Sequence, residues 1–290
     1  MNLPRELHQR MLAALGSPEP PLPFCCVRLY TEEETPPPEV LAADPSPETV
    51  MCCQAVRHAI QGEPVWLTAA NVGCVAAGIS LGLVDEHQRE PLEGPRVYTC
   101  IMREQAGLTP EEFVPPSPED FTTGVVYACR AAGRPQYGLF GPEDSGRFRD
   151  VETARRAVSS MAAIQPPVMQ GVYFYPPDRE GPELLPQVVV LAVRPVELTR
   201  LLQGYQYVTG ERVDASLGPV RAVDSDLIAR PFLTGRINLS TFCLGARVVA
   251  GFAGDRMGLG LPWHCFQTMV EGLEESRTGY PYERYPGAQE

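Results

Sequence analysis

The stretch that decides the fold is VVVLAVRPVELTRLLQGYQYVTG, residues 188–210 of a 290-residue chain. Its first six residues are all apolar, and such an unbroken run is typical of a strand that is buried on both faces. Pro195 suits the first turn of a helix, which we expect to reach about Val208 and to stop at Gly210. A buried strand that leads directly into a helix predicts an α/β (α+β) fold, with a mixed β-sheet packed against helices.

The rest of the chain is predicted to organise around this pair. Residues 1–23 form an N-terminal helix, ending at Gly16, and a Pro-rich connector. Residues 24–278 form a single α/β domain with a Pro-rich surface insertion at about 85–123, and 279–290 are a C-terminal tail. We further predict strands at 24–30, 64–67, 124–129, 171–175 and 237–244, a hairpin of 248–252 with 257–261, and helices at 46–62, 150–163 and 262–276.

Charge and composition exclude several function classes. The net charge of −12 and the pI near 4.9 argue against binding to nucleic acid or to anionic membranes. All 24 basic residues are arginine, so the chain has no lysine for a P-loop or a pyridoxal Schiff base. No run of 18 apolar residues predicts a membrane span, and the N-terminus does not resemble a signal peptide. We expect a cytoplasmic location.

Cysteine is the residue here most able to do chemistry. The chain has nine cysteines and no Cys-x-x-Cys pair, and an odd number favours free thiols or metal-bound thiolates in a reducing compartment. The histidines have no partner at zinc-ligand spacing, and the glycines at 251–260 do not match a dinucleotide fingerprint. Any metal site must therefore be assembled from distant parts of the chain.

Two cysteines have suggestive settings. If Asn71 caps the following helix, Cys74 occupies its third position, where backbone N–H groups and the helix dipole favour a thiolate. Cys243 lies near the end of a predicted strand, followed by a glycine and then by Arg247, which could stabilise a thiolate or bind an anion. A buried packing role is the alternative for each cysteine.

Two cysteine pairs are expected to divide between different surroundings. Cys53 lies on the apolar stripe of its predicted helix, whereas Cys52 lies off it. Cys25 and Cys26 share a strand and should therefore point to opposite faces of the sheet.

Several motifs together resemble an uncharacterised family, domain of unknown function 169, over most of the chain from Phe24 to about Tyr285. The motifs are Cys53-Gln54, Asn71, Cys74, Gly78, Leu81-Gly82-Leu83, the strand at 188–193, the helix around 201–206, Arg230-Pro231, Thr234-Gly235, Cys243-Leu244-Gly245-Ala246-Arg247 and Gly260-Leu261-Pro262. The resemblance implies that Cys53, Cys74 and Cys243 belong to the family's cysteine pattern. It supplies no activity.

Two hypotheses of different classes follow. In the first, Cys53, Cys74 and Cys243 hold a metal centre, expected to be an iron–sulfur cluster with a redox or sulfur-handling role, while Asn71 and Arg247 orient the thiolates or an anionic ligand. In the second, the protein is a metal-free binding or accessory protein for a small anionic ligand, and the cysteines are structural. A metal-free thiol enzyme is a third option. The expected partners are a small-molecule ligand or a redox partner protein, with a homo-oligomer also allowed.

Overall fold

The computed structural model describes residues 3–16, 21–83, 151–164, 169–179 and 184–278. The chain divides into two compact units, one formed by Met1–Leu83 with Ala162–Glu290 and the other by Val84–Met161. In the second unit the described residues form helix α5, Val151–Ser159, where a helix at 150–163 was predicted. The predicted insertion at 85–123, the strand at 124–129 and the tail at 279–290 lie outside the described residues.

The described part of the first unit is built on one antiparallel sheet of six strands, which are β1 Phe24–Thr31, β2 Val65–Leu67, β3 Met169–Tyr175, β4 Val188–Val193, β5 Asn238–Ser240 and β6 Met257–Pro262. Their order in the sheet is β2-β3-β1-β4-β6-β5. All six residues of β4 are buried, as the unbroken apolar run predicts. The mixed α/β fold class is thus confirmed.

Helices cover both faces of this sheet, and a separate hydrophobic core lies on each face. The helices are α1 Pro4–Leu15, α2 Pro38–Leu41, α3 Cys52–Ile60, α4 Val75–Ser80, α6 Pro195–Thr209, the π-helix Asp224–Ala229, α7 Arg230–Thr234, α8 Leu244–Val249 and α9 Trp263–Glu275. One core contains side chains of α1, α6 and α9, and the other contains side chains of α3, α4, α8 and a buried π-helix. Cys25 belongs to the second core and Cys26 to the first, which confirms that they point to opposite faces.

Helix α6 begins and ends where its sequence predicts. Pro195 occupies the first turn, and Gly210 ends the helix in the left-handed conformation at φ 69°. Buried Glu197 fastens the start of the helix, because its carboxylate lies 2.8 Å from Arg194 Nε and 3.0 Å from Arg256. The chain is thereby tied down where it passes from β4 into α6.

Two glycines of β6 allow the π-helix to lie directly on the sheet. A Cβ on Gly260 would run into the backbone of Leu227, and one on Gly258 would lie 2.5 Å from the Leu227 side chain. The intervening Leu259 points into the opposite core. These glycines therefore serve close packing between the strand and the π-helix.

Three local predictions are wrong. The helix predicted at 46–62 begins only at Cys52, because the Val50 N–H donates to the Asn71 carbonyl and the Val50 carbonyl accepts from Gly73, which keeps this residue extended. The predicted hairpin of 248–252 with 257–261 does not form, since residues 244–249 are helical and β6 pairs with β4 and β5. The strand predicted at 237–244 is reduced to β5, because Phe242 turns the chain at φ 59° into α8.

Candidate functional site

Three cysteines from distant parts of the chain lie at the starts of three helices. Cys53 is the second residue of α3, while Cys74 and Cys243 are the residues that immediately precede α4 and α8. The Ala246 N–H donates to the Cys243 sulfur at 3.4 Å, and the Ala77 N–H interacts in the same way with Cys74. Backbone N–H groups at helix starts favour negative charge and so act against the effect of burial, which favours the neutral thiol.

The fold brings these three sulfurs into one neighbourhood. All three cysteines belong to, or pack against, the core beneath α3 and the π-helix. Burial, followed by the nearby Cys243 and Cys74, raises the pKa of Cys53 to about 12. Burial raises the pKa of Cys74 to about 11, with a smaller contribution from Cys243. Each sulfur therefore lies close enough to the other two to interact with them electrostatically.

The three cysteines Cys53, Cys74 and Cys243 (the trio) differ in their exposure to solvent. Cys74 and Cys243 are partly exposed, whereas Cys53 is 8 % exposed. The neighbouring Cys52 is even more buried, so the prediction that it lies off the buried side of the helix is wrong. A helix that is covered on several sides buries residues outside its main apolar stripe as well. In the described ranges, no group of three or more His, Cys, Asp and Glu side chains could hold a metal ion. The metal role of the trio stays a prediction.

A buried carboxyl group adjoins the cysteines and was not predicted. Asp224 opens the π-helix, which packs against α4, and is 7 % exposed. Burial raises its pKa, while nearby Arg221 and Ser80 act in the opposite direction. Its Oδ2 has no hydrogen-bond partner, and after burial its charge makes the largest contribution that raises the pKa values of Cys52 and Cys74. The signal that could have found it is the polar run Asp-Ser-Asp within an apolar stretch.

Two strained residues flank this neighbourhood. Arg221 and Phe242 adopt positive φ angles of 55° and 59°, which non-glycine residues seldom do. Phe242 immediately precedes Cys243 and stacks on Phe252 at 4.3 Å between ring centroids. Such residues persist only where the surrounding structure holds them, and they concentrate at functional sites.

Arg247 holds the loop around Cys243. Its guanidinium donates to the carbonyls of Thr241, Ala253 and Arg256, at 2.7 Å for the first of these. The side chain thus fixes the segments on both sides of α8. A contact between Arg247 and an anionic ligand remains a prediction.

Asn71 is fully engaged in its own turn. Its Oδ1 accepts from the Thr68 N–H at 2.8 Å, and its Nδ2 donates to Asp44 and to the Trp66 carbonyl. The expectation that Asn71 caps the helix containing Cys74 is wrong, because Cys74 itself precedes the first residue of α4. A contact between Asn71 and a ligand is likewise still a prediction.

One cysteine–histidine contact was also missed. The sequence patterns above do not single out Cys265, whose sulfur lies 3.3 Å from Nε2 of His264. Burial raises the pKa of Cys265, so the contact does not produce a ready thiolate. Cys265 belongs to the core on the opposite face of the sheet from the trio. Cys100 and Cys129 lie outside the described residues.

Comparison with known proteins completes the description of the chain. No helix in the described residues has both the length and the apolar character needed to span a membrane. The chain is 25 % identical to an uncharacterised protein of Methanocaldococcus jannaschii over 132 residues. These residues are 46 % of this chain and 55 % of that protein, so the match spans little more than half of the relative's length. No solved structure matches it. The family model described as uncharacterised ArCR matches residues 21–272, and the chain belongs to this family, domain of unknown function 169.

Proposed function

We propose that the protein binds an iron–sulfur cluster through Cys53, Cys74 and Cys243 and uses it in redox or sulfur-handling chemistry. The observation that carries the proposal is the grouping of three sulfurs, each at the start of a different helix and each near the other two. Thiolate is the ligand that holds such clusters, and the ligands need not be close in sequence.

These sulfurs become ligands only when a bound metal ion displaces their protons. Without one, burial keeps the Cys53 and Cys74 thiols protonated at neutral pH, as their pKa values of about 12 and 11 imply. A bound metal deprotonates a coordinating thiol outright, and the N–H groups at the helix starts then stabilise the thiolates. The proposal is for a cluster rather than a single ion, since thiolates on different irons lie further apart than thiolates on one ion.

The partial exposure of two ligands suits such a centre. Cys74 and Cys243 are partly exposed residues, so iron and sulfide would enter, and an electron or a small sulfur species would leave, on their side of the site. Cys53 and the core beneath it exclude water from the inner side. Burial on one side is among the factors that set the reduction potential of a bound cluster.

A metal-free binding or accessory protein is the alternative. It is favoured by the raised pKa values of Cys53 and Cys74, which suit neutral thiols that pack a core. The same values count against the thiol enzyme, whose nucleophile must be a thiolate at working pH. Gly258 and Gly260 do not cradle a ligand in this alternative, because Leu227 fills the space above them.

Anaerobic reconstitution of the full chain with iron and sulfide, followed by metal analysis and a visible spectrum, tests the proposal. We expect a coloured wild-type protein, and we expect Cys53→Ser, Cys74→Ser and Cys243→Ser each to lose most of the iron. Cys265→Ser is the matched control and should keep it, because Cys265 lies in the other core. A colourless wild type, or colour that survives all three substitutions, would overturn the proposal in favour of the metal-free alternative.

A further inference from the structure

Residues 211–219, which we call the strap, lie between α6 and the π-helix and are held by two buried side chains. The Oδ1 atom of Asn238 accepts from the Ser216 N–H, and its Nδ2 donates to the Ser216 carbonyl, both at 2.9 Å. The carboxyl group of Asp226 accepts from the Gly218 N–H at 3.1 Å. Seven of the nine residues of the strap are exposed, so these polar contacts contribute a large part of what holds it in place.

The two side chains that hold the strap are themselves buried and joined to each other. Asn238 is 1 % exposed and Asp226 is 4 % exposed. Leu239 packs against the core on the other face of the sheet, so Asn238 points to the face on which the π-helix lies. There its Nδ2 also donates to the Asp226 carbonyl at 2.9 Å. One polar network therefore ties the strap to β5 and to the π-helix.

The carboxyl group of Asp226 lies where a negative charge is unfavourable. Burial raises its pKa from the ordinary value of 3.8 to about 7; the Gly218 N–H and the charge of Arg230 oppose this shift, and the charge of Asp224 adds to it. Strands β4, β5 and β6 and helix α4 also pack against the π-helix and contain no ionisable side chain. The strap's own charged residues are exposed and are Glu211, Arg212 and Asp214.

The direction of the pH dependence follows from this raised pKa. Because Gly218 of the strap lies against the carboxyl group of Asp226, opening of the strap lets water reach that group, and its pKa returns toward 3.8. The closed strap therefore binds a proton more tightly than the open strap does. As the pH rises from about 4, opening becomes steadily more favourable until the closed form has also lost its proton, near pH 7.

We propose that the strap is a pH-sensitive device, which is closed over the protonated carboxyl group of Asp226 and opens when that group loses its proton to solvent. The strap continues into Arg221, whose carbonyl accepts from the Ser225 N–H at 3.0 Å where the π-helix begins. Burial dominates the pKa of Cys74, and the positive charge of Arg221 acts against it. Opening of the strap therefore loosens the segment that places this charge near Cys74.

Hydrogen exchange of the full chain, measured by mass spectrometry between about pH 5 and 8.5, tests the inference. The rates for the Ser216 and Gly218 amides are divided by the intrinsic rate at each pH, so that they report the opening equilibrium. In the wild type we expect opening to increase by nearly tenfold, about one order of magnitude, for each pH unit below about pH 6 and to level off above about pH 7.

Asp226→Asn is the decisive variant, and Asp214→Asn is its matched control. Asparagine keeps an oxygen that can accept from the Gly218 N–H but cannot ionise, so opening in Asp226→Asn should not change with pH. Asp214 is an exposed carboxylate of the strap, and Asp214→Asn should keep the wild-type profile. Arg230→Gln should move the levelling-off to a higher pH, because the positive charge of Arg230 lowers the pKa of Asp226.

A wild type whose strap opens equally at every pH would overturn the inference, as would an Asp226→Asn protein that keeps the wild-type profile. Equal changes in Asp226→Asn and Asp214→Asn would also overturn it. If Asp226→Asn does not fold by far-ultraviolet circular dichroism, the Arg230→Gln profile decides, and an unshifted profile counts against the inference. None of these measurements involves iron, so their outcome is independent of the proposed function.

Discussion

Alanine substitutions at Gly258 and Gly260 will show whether the π-helix is held against β6 by close backbone packing. The two glycines face the same residue, Leu227, but meet different parts of it. A Cβ at position 258 would lie 2.5 Å from Leu227 Cδ1 and 3.0 Å from Cδ2, whereas one at position 260 would overlap the Leu227 carbonyl oxygen and lie 2.7 Å from its Cα. A side-chain end can move aside, but a hydrogen-bonded backbone must shift as a whole.

The expected losses of stability follow from this difference. Overpacking of a core typically costs about 1–3 kcal/mol, so we expect Gly258→Ala to lower the free energy of unfolding by about 1–2 kcal/mol and Gly260→Ala by about 3 kcal/mol or more. Gly254→Ala is the control, since a Cβ there has nothing within 4 Å, and we expect a change within about 0.5 kcal/mol.

A double-mutant cycle with Leu227→Ala sharpens the test. Leu227 is fully buried, and its truncation alone should cost about 2–5 kcal/mol. Combined with Gly258→Ala it should cost about 1–3 kcal/mol less than the sum of the two, because the added methyl group enters the space left by the leucine side chain. Combined with Gly260→Ala no such relief is expected, because the obstacle there is backbone.

The assay is urea unfolding followed by far-ultraviolet circular dichroism, with the unfolding free energy taken from the midpoint and slope. Equal losses for Gly258→Ala and Gly260→Ala, or equal relief of both by Leu227→Ala, would refute the account of how the π-helix meets the sheet.

Three further predictions concern single residues. Burial lowers the pKa of His8 to about 4, so below about pH 6.5 the unfolded chain takes up a proton before the folded chain does. The contribution of His8 to the free energy of unfolding should therefore fall by up to about 3 kcal/mol between pH 6.5 and 4. His8→Phe should flatten this pH dependence in urea titrations. Asn71→Ala leaves the Thr68 N–H and the Trp66 carbonyl without their side-chain partner. The free energy of unfolding in the same assay should fall by about 2 kcal/mol or more. A decrease below about 0.5 kcal/mol would contradict the structure. Arg247→Gln removes the charged hydrogen-bond donor of three carbonyl groups. The amide hydrogens of the loop before Cys243 should then exchange faster, as measured by mass spectrometry. Unchanged exchange would exclude a role of Arg247 in holding this loop.

Sequence patterns predicted those elements whose local signals agree with the tertiary structure. The apolar run at 188–193, Pro195 and Gly210 each specify one local feature, and the fold does not override any of them. The Ser46-Pro47 signal for a helix start failed because Val50 finds a more distant partner in Asn71 and Gly73, which no local pattern reveals.

In the candidate site, too, some residues could be selected from the sequence and others could be found only from the fold. The resemblance to the family singled out Cys53, Cys74 and Cys243, and the fold brings them together. Asp224 could not be selected in that way, because a carboxylate in a helix is ordinarily exposed and only the fold shows it buried beside thiols. Likewise, Phe242 takes a left-handed backbone conformation that its residue type does not predict.

X-ray absorption at the iron edge of the reconstituted wild-type chain tests the central claim most directly. A cluster held by Cys53, Cys74 and Cys243 predicts about four irons per chain, a first shell dominated by sulfur and a short iron–iron distance. Loss of that pattern in Cys74→Ser and Cys243→Ser, and its retention in Cys265→Ser, would agree with the site described above. Iron surrounded only by oxygen and nitrogen, or no bound iron at all, would contradict it.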